Sequence, residues 1–256
     1  MGGDLRGYAI CAEQRTGSSY LCQILMSTGV LGRPIEYFNG LGLLPIVPNY
    51  PQDAEGQLRE VTRLGATPNG VYGLKLFSDD FDRIAGTRWT RRLPNLRFVS
   101  LTRRDLLGQA ISAVRMAQTG QYASLVEADR EPVYEPAQIV AEIHRLAWGK
   151  ARWEAFFARC GLAPLHLEYE EIAARPQKAA DSVASLVGLD GPATVDLRQV
   201  VTRVQRDSIS DEWRARFVAE AQDPAFLDKP LPAPLPPSLR TRLKRQLQRW
   251  IRRQPA

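Results

Sequence analysis

The chain has 256 residues, 44% of them hydrophobic and 24% charged, a composition typical of one globular domain with a substantial core. It contains no long apolar run, no signal-peptide pattern and only three cysteines without C-x-x-C spacing, so we expect no membrane span, secretion signal, disulfide framework or zinc site. The net charge of +6 favours a polyanionic partner, and we expect a cytoplasmic protein.

The predicted strands are near-continuous apolar runs, with helical segments between them. In chain order, strands are predicted at 8–12, 70–77, 96–103 and 164–172, and helices at 18–29, 105–119, 136–160 and 176–188. Apolar runs without alternation are typical of strands buried on both faces of a parallel sheet. The alternation of strand and helix therefore predicts an open α/β fold with right-handed crossovers.

The turn AEQRTGSSYL (12–21) joins the first predicted strand to the first predicted helix, which is the layout of a phosphate-binding loop. Laid against G-x-x-x-x-G-K-[ST], it has Ala12 for the first glycine and Ser18 for the lysine. A metal-dependent nucleoside triphosphatase needs that lysine and a carboxylate for Mg²⁺, so the loop suits a phosphate monoester or a phosphosulfate better. Alternatively, the turn only caps an ordinary helix. The candidate anion-binding residues are Arg15, Thr16, Gly17, Ser18 and Ser19.

Residues 32–66 are rich in glycine and proline, and we expect a long irregular loop that is functional or mobile.

A second polar group follows the third predicted strand, in LTRRDLLGQAIS (101–112). Arg103 and Arg104 lie at the carboxyl edge of the sheet, where open α/β folds bind ligands, and Ser112 lies two helical turns further on. Two anion sites on one sheet edge indicate a ligand with two separated anionic groups, such as a 3′-phosphorylated nucleotide 5′-phosphosulfate. The alternative is an arginine pair that forms surface ion pairs.

The C-terminal part differs in composition from the rest. We predict one domain over residues 1–228, a Pro-rich linker over 229–239 and a basic helix or tail over 240–256. The basic segment is either a solvated helix or a surface that contacts an anionic membrane or a second subunit. Its charge layout gives little support to nucleic-acid binding.

Five segments in this order resemble the sulfotransferase family that includes trehalose 2-sulfotransferase and the Nod-factor sulfotransferase. The resemblance covers about residues 7–220 and implies a P-loop-like, three-layer α/β fold with a central, mostly parallel sheet flanked by helices. It also implies PAPS (3′-phosphoadenosine 5′-phosphosulfate) as donor, no metal, a sugar or other small-molecule acceptor, and a homodimer. The segments are QRTGSSYL (14–21), GRPIEYF (32–38), TPNGVYGLKL (67–76), RRDLLGQAISAVRMAQTG (103–120) and QRDSISDEW (205–213).

The resemblance also implies roles for single residues. Glu36 would be the general base for the acceptor hydroxyl, and Lys75 would neutralise charge near the transferred group. Arg15 and the rest of its loop would hold the 5′-phosphosulfate, while either Arg103 or Arg104, with Ser112, would hold the 3′-phosphate. Gln205 and Arg206 would contact the nucleotide, and Gly108 replaces a polar residue of some members.

The predicted reaction is in-line transfer of a sulfuryl group from PAPS to an alcohol. The sequence leaves two alternative functions open. One is a P-loop kinase that acts on a small molecule, which would require Mg²⁺ and a triphosphate. The other is a non-catalytic protein that binds anions or a membrane surface through its basic tail.

Overall fold

The computed structural model describes residues 4–120, 130–202 and 208–221. The chain divides into two compact units, Met1–Phe217 and Val218–Ala256, and the sheet and the cavity described below belong to the first. The predicted linker (229–239), the predicted basic tail (240–256) and the candidate nucleotide contacts Gln205 and Arg206 lie outside the described residues.

A four-stranded parallel sheet forms the centre of the molecule. Its strands are β1 (Arg6–Ala12), β2 (Val71–Phe77), β3 (Leu96–Thr102) and β4 (Leu165–Glu168), in the order β2-β1-β3-β4. The carboxyl ends of β1, β2 and β3 therefore meet at one edge, where residues from three separate parts of the chain come together. This sheet confirms the predicted α/β class.

Helices lie on both faces of the sheet and at its edge. Their bounds are α1 Ser18–Ser27, α2 Gly40–Leu43, α3 Ala54–Gly65, α4 Ser78–Ile84, α5 Trp89–Arg92, α6 Leu106–Thr119, α7 Pro136–Cys160, α8 Tyr169–Ala174, α9 Pro176–Leu186 and α10 Ser208–Ala221. Within the described ranges, none of these helices has the length and apolar character needed to cross a bilayer.

The layers follow from the alternation of side chains along β1. Tyr8 and Ile10 are buried in one apolar cluster with residues of α1 and α9. Ala9 and Cys11 point to the other face, into a cluster with residues of α3, α5 and α7. Successive side chains of a strand alternate between faces, so a strand buried on both faces is apolar throughout. The result is the expected three-layer arrangement of helices, sheet and helices.

Two predicted boundaries were wrong. The region 32–66 is not irregular throughout, because residues 54–65 form α3. The Asp53 carboxylate caps that helix by accepting a hydrogen bond from the Gly56 N–H at 2.7 Å, and Leu58 and Val61 bury its inner face. The strand predicted at 164–172 ends at Glu168, and the chain continues as α8.

Candidate functional site

A cavity of about 1150 Å³ opens at the carboxyl edge of the sheet. It is larger than a typical small-molecule pocket and has room for a nucleotide and a second molecule together. Its walls are the loop after β1, the first turn of α1, the end of β2, the start of α6, the start of α10 and the segment 36–42. Residues from each of these line it, among them Arg15, Gly17, Ser18, Ser19, Glu36, Asn39, Lys75, Phe77, Arg103, Ser112, Tyr169 and Arg214.

The loop after β1 presents the N-terminus of α1 to this cavity. Gly17 has φ +84° and directly precedes the helix, and its carbonyl accepts the Leu21 N–H at 3.1 Å. Gly17, Ser18 and Ser19 line the cavity, so backbone N–H groups and two hydroxyls are available for an anion. The Thr16 hydroxyl instead donates to the Glu13 carbonyl at 2.8 Å and closes the turn.

Gly17 is also required by packing, because a Cβ at this position would lie 2.2 Å from Cδ2 of Tyr169. We expect Gly17→Ala to lower Tm by several degrees and to weaken anion binding, since the Tyr169 ring or the loop must move. Gly29→Ala is the matched control, because Gly29 has φ +70° but no atom near its Cβ position. Thermal unfolding of both variants separates the cost of the backbone angle from the clash. Equal stability of the two would contradict this assignment.

Three arginines, Arg15, Arg103 and Arg115, lie close together beside the same loop, and the first two line the cavity. Arg15 Nε donates a hydrogen bond to Ser112 Oγ at 2.8 Å, and Nη1 of Arg103 donates one to the Arg15 carbonyl at 3.2 Å. Burial lowers the pKa of Arg15, and the guanidinium groups of Arg103 and Arg115 lower it further. Like charges held this close favour a bound anion, which would relieve both the repulsion and the desolvation.

The structure separates the two adjacent arginines. Arg103 lines the cavity and stacks on the Tyr169 ring, with 5.1 Å between the guanidinium carbon and the ring centre. Its Nε is buried and has no hydrogen-bond partner among the described residues. Arg104 is outside the cavity, where its side chain is 63% exposed and pairs with the Glu168 carboxylate. Geometry therefore assigns the inward position to Arg103.

Glu36 and Lys75 meet beside the first turn of α1. Lys75 Nζ lies 2.8 Å from a Glu36 carboxylate oxygen and donates to Ser19 Oγ at 3.3 Å. The second carboxylate oxygen of Glu36 accepts from the Asn39 amide at 3.2 Å. The segment before Glu36 lies along β2, because the Lys75 N–H donates to the Ile35 carbonyl at 2.9 Å. A carboxylate and an ammonium group thus face the predicted anion loop.

The charge of Lys75 depends on this carboxylate. Burial by itself lowers the pKa of Lys75, but the Cys22 and Glu36 groups reverse the direction, and the pKa is raised overall. Burial raises the pKa of the Cys22 thiol to about 11, so the thiol is neutral at pH 7. Glu36 is therefore the negative charge that keeps Lys75 protonated.

Some residues near the cavity were not found from the sequence. Arg115 lies one helical turn after Ser112, so the spacing along α6 could have indicated it. No pattern in the sequence indicated Glu13, Tyr169 or Arg214, because their contacts join distant parts of the chain. Arg214, for example, pairs with Asp105. In the part of the chain that the structure describes, no cluster of three His, Cys, Asp or Glu side chains could hold a metal ion.

Curated relatives and solved structures resemble this chain over most of its length. The trehalose 2-sulfotransferase of Mycobacterium tuberculosis is 29% identical over 262 residues, covering 85% of this chain and 96% of the relative. The enzyme of the same name from Mycolicibacterium smegmatis is 24% identical, covering 84% and 95%. Among solved structures, the sulfotransferase domain from the curacin biosynthetic pathway aligns with a TM-score of 0.46 at 14% identity, covering 84% of this chain and 99% of that one.

The model of one protein family covers most of the described chain. It is the model of the Stf0 sulphotransferases, and it matches residues 7–220. That range includes β2, β3, β4, all of β1 except Arg6, and every described residue that lines the cavity. The protein therefore belongs to the Stf0 sulphotransferase family.

Proposed function

We propose that this protein transfers the sulfuryl group of PAPS to a hydroxyl group of a sugar or of a glycosylated small molecule. One observation carries the proposal: a single cavity is lined both by the N-terminus of α1 and by the side chains of Arg15 and Arg103. PAPS has anionic groups at two separated positions, and the helix N-terminus and the arginines would each help to hold one of them. The family and the names of the curated relatives also support sulfuryl transfer.

The donor would lie with its 5′-phosphosulfate at Arg15 and the first turn of α1, and its 3′-phosphate at Arg103 and Ser112. A sulfuryl group carries less negative charge than a terminal phosphoryl group, so the helix N-terminus and nearby cations can stabilise it without a metal. The proposed 5′ contacts are Arg15, Gly17, Ser18 and Ser19, and we place Thr16 in a supporting role because its hydroxyl closes the turn.

In the proposed reaction the acceptor oxygen attacks sulfur, and the bond between sulfur and the bridging phosphate oxygen breaks. The electron pair of that bond stays on the phosphate, giving adenosine 3′,5′-bisphosphate (PAP), and the acceptor proton passes to Glu36. Lys75 lies between Glu36 and Ser19, so its ammonium group can turn from the carboxylate towards the oxygen that gains charge.

The acceptor would enter along the wall that continues from Glu36. Asn39 and Gly42 line the cavity on that side, and the Asn39 amide already orients the Glu36 carboxylate. The two curated relatives carry the name of the sugar trehalose, which supports a sugar hydroxyl as the acceptor.

An assay of both group-transfer reactions tests this proposal. With radiolabelled PAPS and a panel of sugars, we expect a sulfated product in the presence of excess EDTA. With ATP, Mg²⁺ and the same sugars, we expect no phosphorylated product. Phosphoryl transfer from ATP that EDTA abolishes would instead support the small-molecule kinase, and no transfer from either donor would support a binding protein.

A further inference from the structure

Glu13 is a buried acidic residue next to the anion loop, and the reaction proposed above does not use it. It follows β1 directly and is only 5% exposed. One carboxylate oxygen accepts the Ser78 N–H at 3.3 Å, and the other lies 3.9 Å from Arg145. A Cβ at Gly149 of α7 would lie 2.2 Å from the Glu13 carboxyl carbon, so the absence of a side chain there makes room for the carboxylate.

The contacts of Glu13 join two parts of the chain beside the cavity. Its backbone carbonyl accepts both the N–H and the hydroxyl of Thr16, which closes the turn before α1. Its side chain reaches Ser78, the residue that follows Phe77 at the end of β2. Lys75 lies on the same strand, three residues earlier. The backbone carbonyl and the carboxylate of this one residue therefore connect the anion loop to the end of the strand that carries the Lys75 ammonium.

This carboxylate is costly to bury. The pKa of Glu13 is raised from 4.5 to about 7, mainly by burial. Asp79 of α4 also raises this pKa, whereas the hydrogen bond from Ser78 and the charge of Arg145 on α7 lower it. A carboxyl group with a raised pKa in the folded protein stabilises the fold below about pH 4.5 and loses that contribution as the pH rises through 7. Above pH 7 the ionised Glu13 therefore lowers stability relative to a neutral side chain of the same shape.

The charged groups around Glu13 form a small network. Arg145 also pairs with Glu142 of its own helix at 2.8 Å and lies 3.9 Å from Asp79. Asp79 is exposed and is shared with Arg152 at 3.5 Å. Arg145 is therefore divided among several carboxylates and neutralises Glu13 only in part.

We propose that Glu13 is a positioning residue for sulfuryl transfer: its backbone carbonyl closes the anion loop, and its ionised carboxylate holds the end of β2 beside that loop, so that both are directed at one donor group. This inference rests on the proposed function. It explains why an ionisable group occupies a buried place where a neutral one would give a more stable fold.

The test is Glu13→Gln, which keeps the shape and one acceptor oxygen but cannot ionise. At pH 8 we expect Tm to rise by about 5 °C while kcat with PAPS falls by about 10-fold. At pH 5.5 Glu13 of the folded wild type is protonated, so turnover should agree between the two proteins and the difference in Tm should be smaller than at pH 8. A merely structural role predicts that stability and turnover fall together, and that result, or unchanged turnover at pH 8, would overturn the proposal.

Two neighbours provide controls of opposite sign. Asp79→Asn removes a negative charge near Glu13 and so lowers the pKa of Glu13. The pH at which turnover falls on acidification should therefore be lower in this variant than in the wild type. Arg145→Gln removes a positive charge and so raises the pKa of Glu13. Turnover should then fall at a higher pH than in the wild type. Titration of the donor's own phosphate would not move in either variant. Coincident pH profiles would therefore contradict the role of Glu13, whereas a wild type without turnover would count against the proposed function itself.

Discussion

Replacing Glu36 by Gln is expected to lower kcat by about 10³-fold while the Kd for PAP changes by less than about twofold. General-base catalysis by a positioned side chain contributes about 10²- to 10⁴-fold, and an amide cannot accept the acceptor's proton. The amide keeps the shape of the side chain and one oxygen within reach of Asn39 and Lys75, so the cavity should retain its form. Steady-state turnover and calorimetric titration with PAP measure the two quantities separately.

Glu168→Gln is a suitable control for this prediction. Glu168 lies at the end of β4 near the same edge of the sheet, but it pairs with Arg104 and does not line the cavity. Its replacement should leave turnover within about twofold, because surface ion pairs contribute little. If Glu36→Gln kept wild-type turnover, the general base would have to be a different group.

The second large effect is expected from the two adjacent arginines. Arg103→Met should weaken PAP binding by about 10- to 100-fold, because a hydrogen bond to a charged group contributes about 1.5–3 kcal/mol. Arg104→Met should change the affinity by less than about twofold, since that side chain is exposed and pairs with Glu168 outside the cavity. Calorimetric titration of both variants with PAP checks the contrast. The reverse order of affinities would show that the inward arginine is assigned wrongly.

The two substitutions form a matched pair. They remove the same group from consecutive positions, and the methionine side chain keeps much of the aliphatic volume. The Tm of each variant shows whether a loss of affinity at Arg103 comes from the site or from the fold. Loss of the stacking between Arg103 and Tyr169 predicts a small decrease in Tm at most.

Much of the fold could be predicted from local patterns. Strands β1 and β2 are buried along almost their whole length, because both faces of the sheet are covered there, and the apolar run that results does not depend on distant contacts. The helix α3 was missed since glycine and proline surround it, although its Asp53 cap and buried Leu58 and Val61 were visible in the sequence. The end of β4 was placed too late because Tyr169 and Ile172 extended the strand-like run to residue 172, yet these residues belong to α8.

The candidate site could be predicted only where its residues are adjacent in the chain. The loop 15–19 is such a case, because its turn and the helix that follows are local features. The sequence alone could not distinguish Arg103 from Arg104. Arg104 pairs with Glu168, which is distant in the sequence, and only the structure shows that contact. The ion pair between Glu36 and Lys75 likewise depends on the pairing of Ile35 with β2. Sequence resemblance indicated both residues but not their contact.

The most direct test of a cavity that holds two separated anionic groups is a thermodynamic cycle on the ligand's 3′-phosphate and Arg103. Calorimetric titration gives the affinities of PAP and of adenosine 5′-phosphate for the wild type and for Arg103→Met. We expect the wild type to prefer PAP by about 10- to 100-fold and the variant to lose most of this preference. An equal preference in both proteins, or none in the wild type, would contradict it.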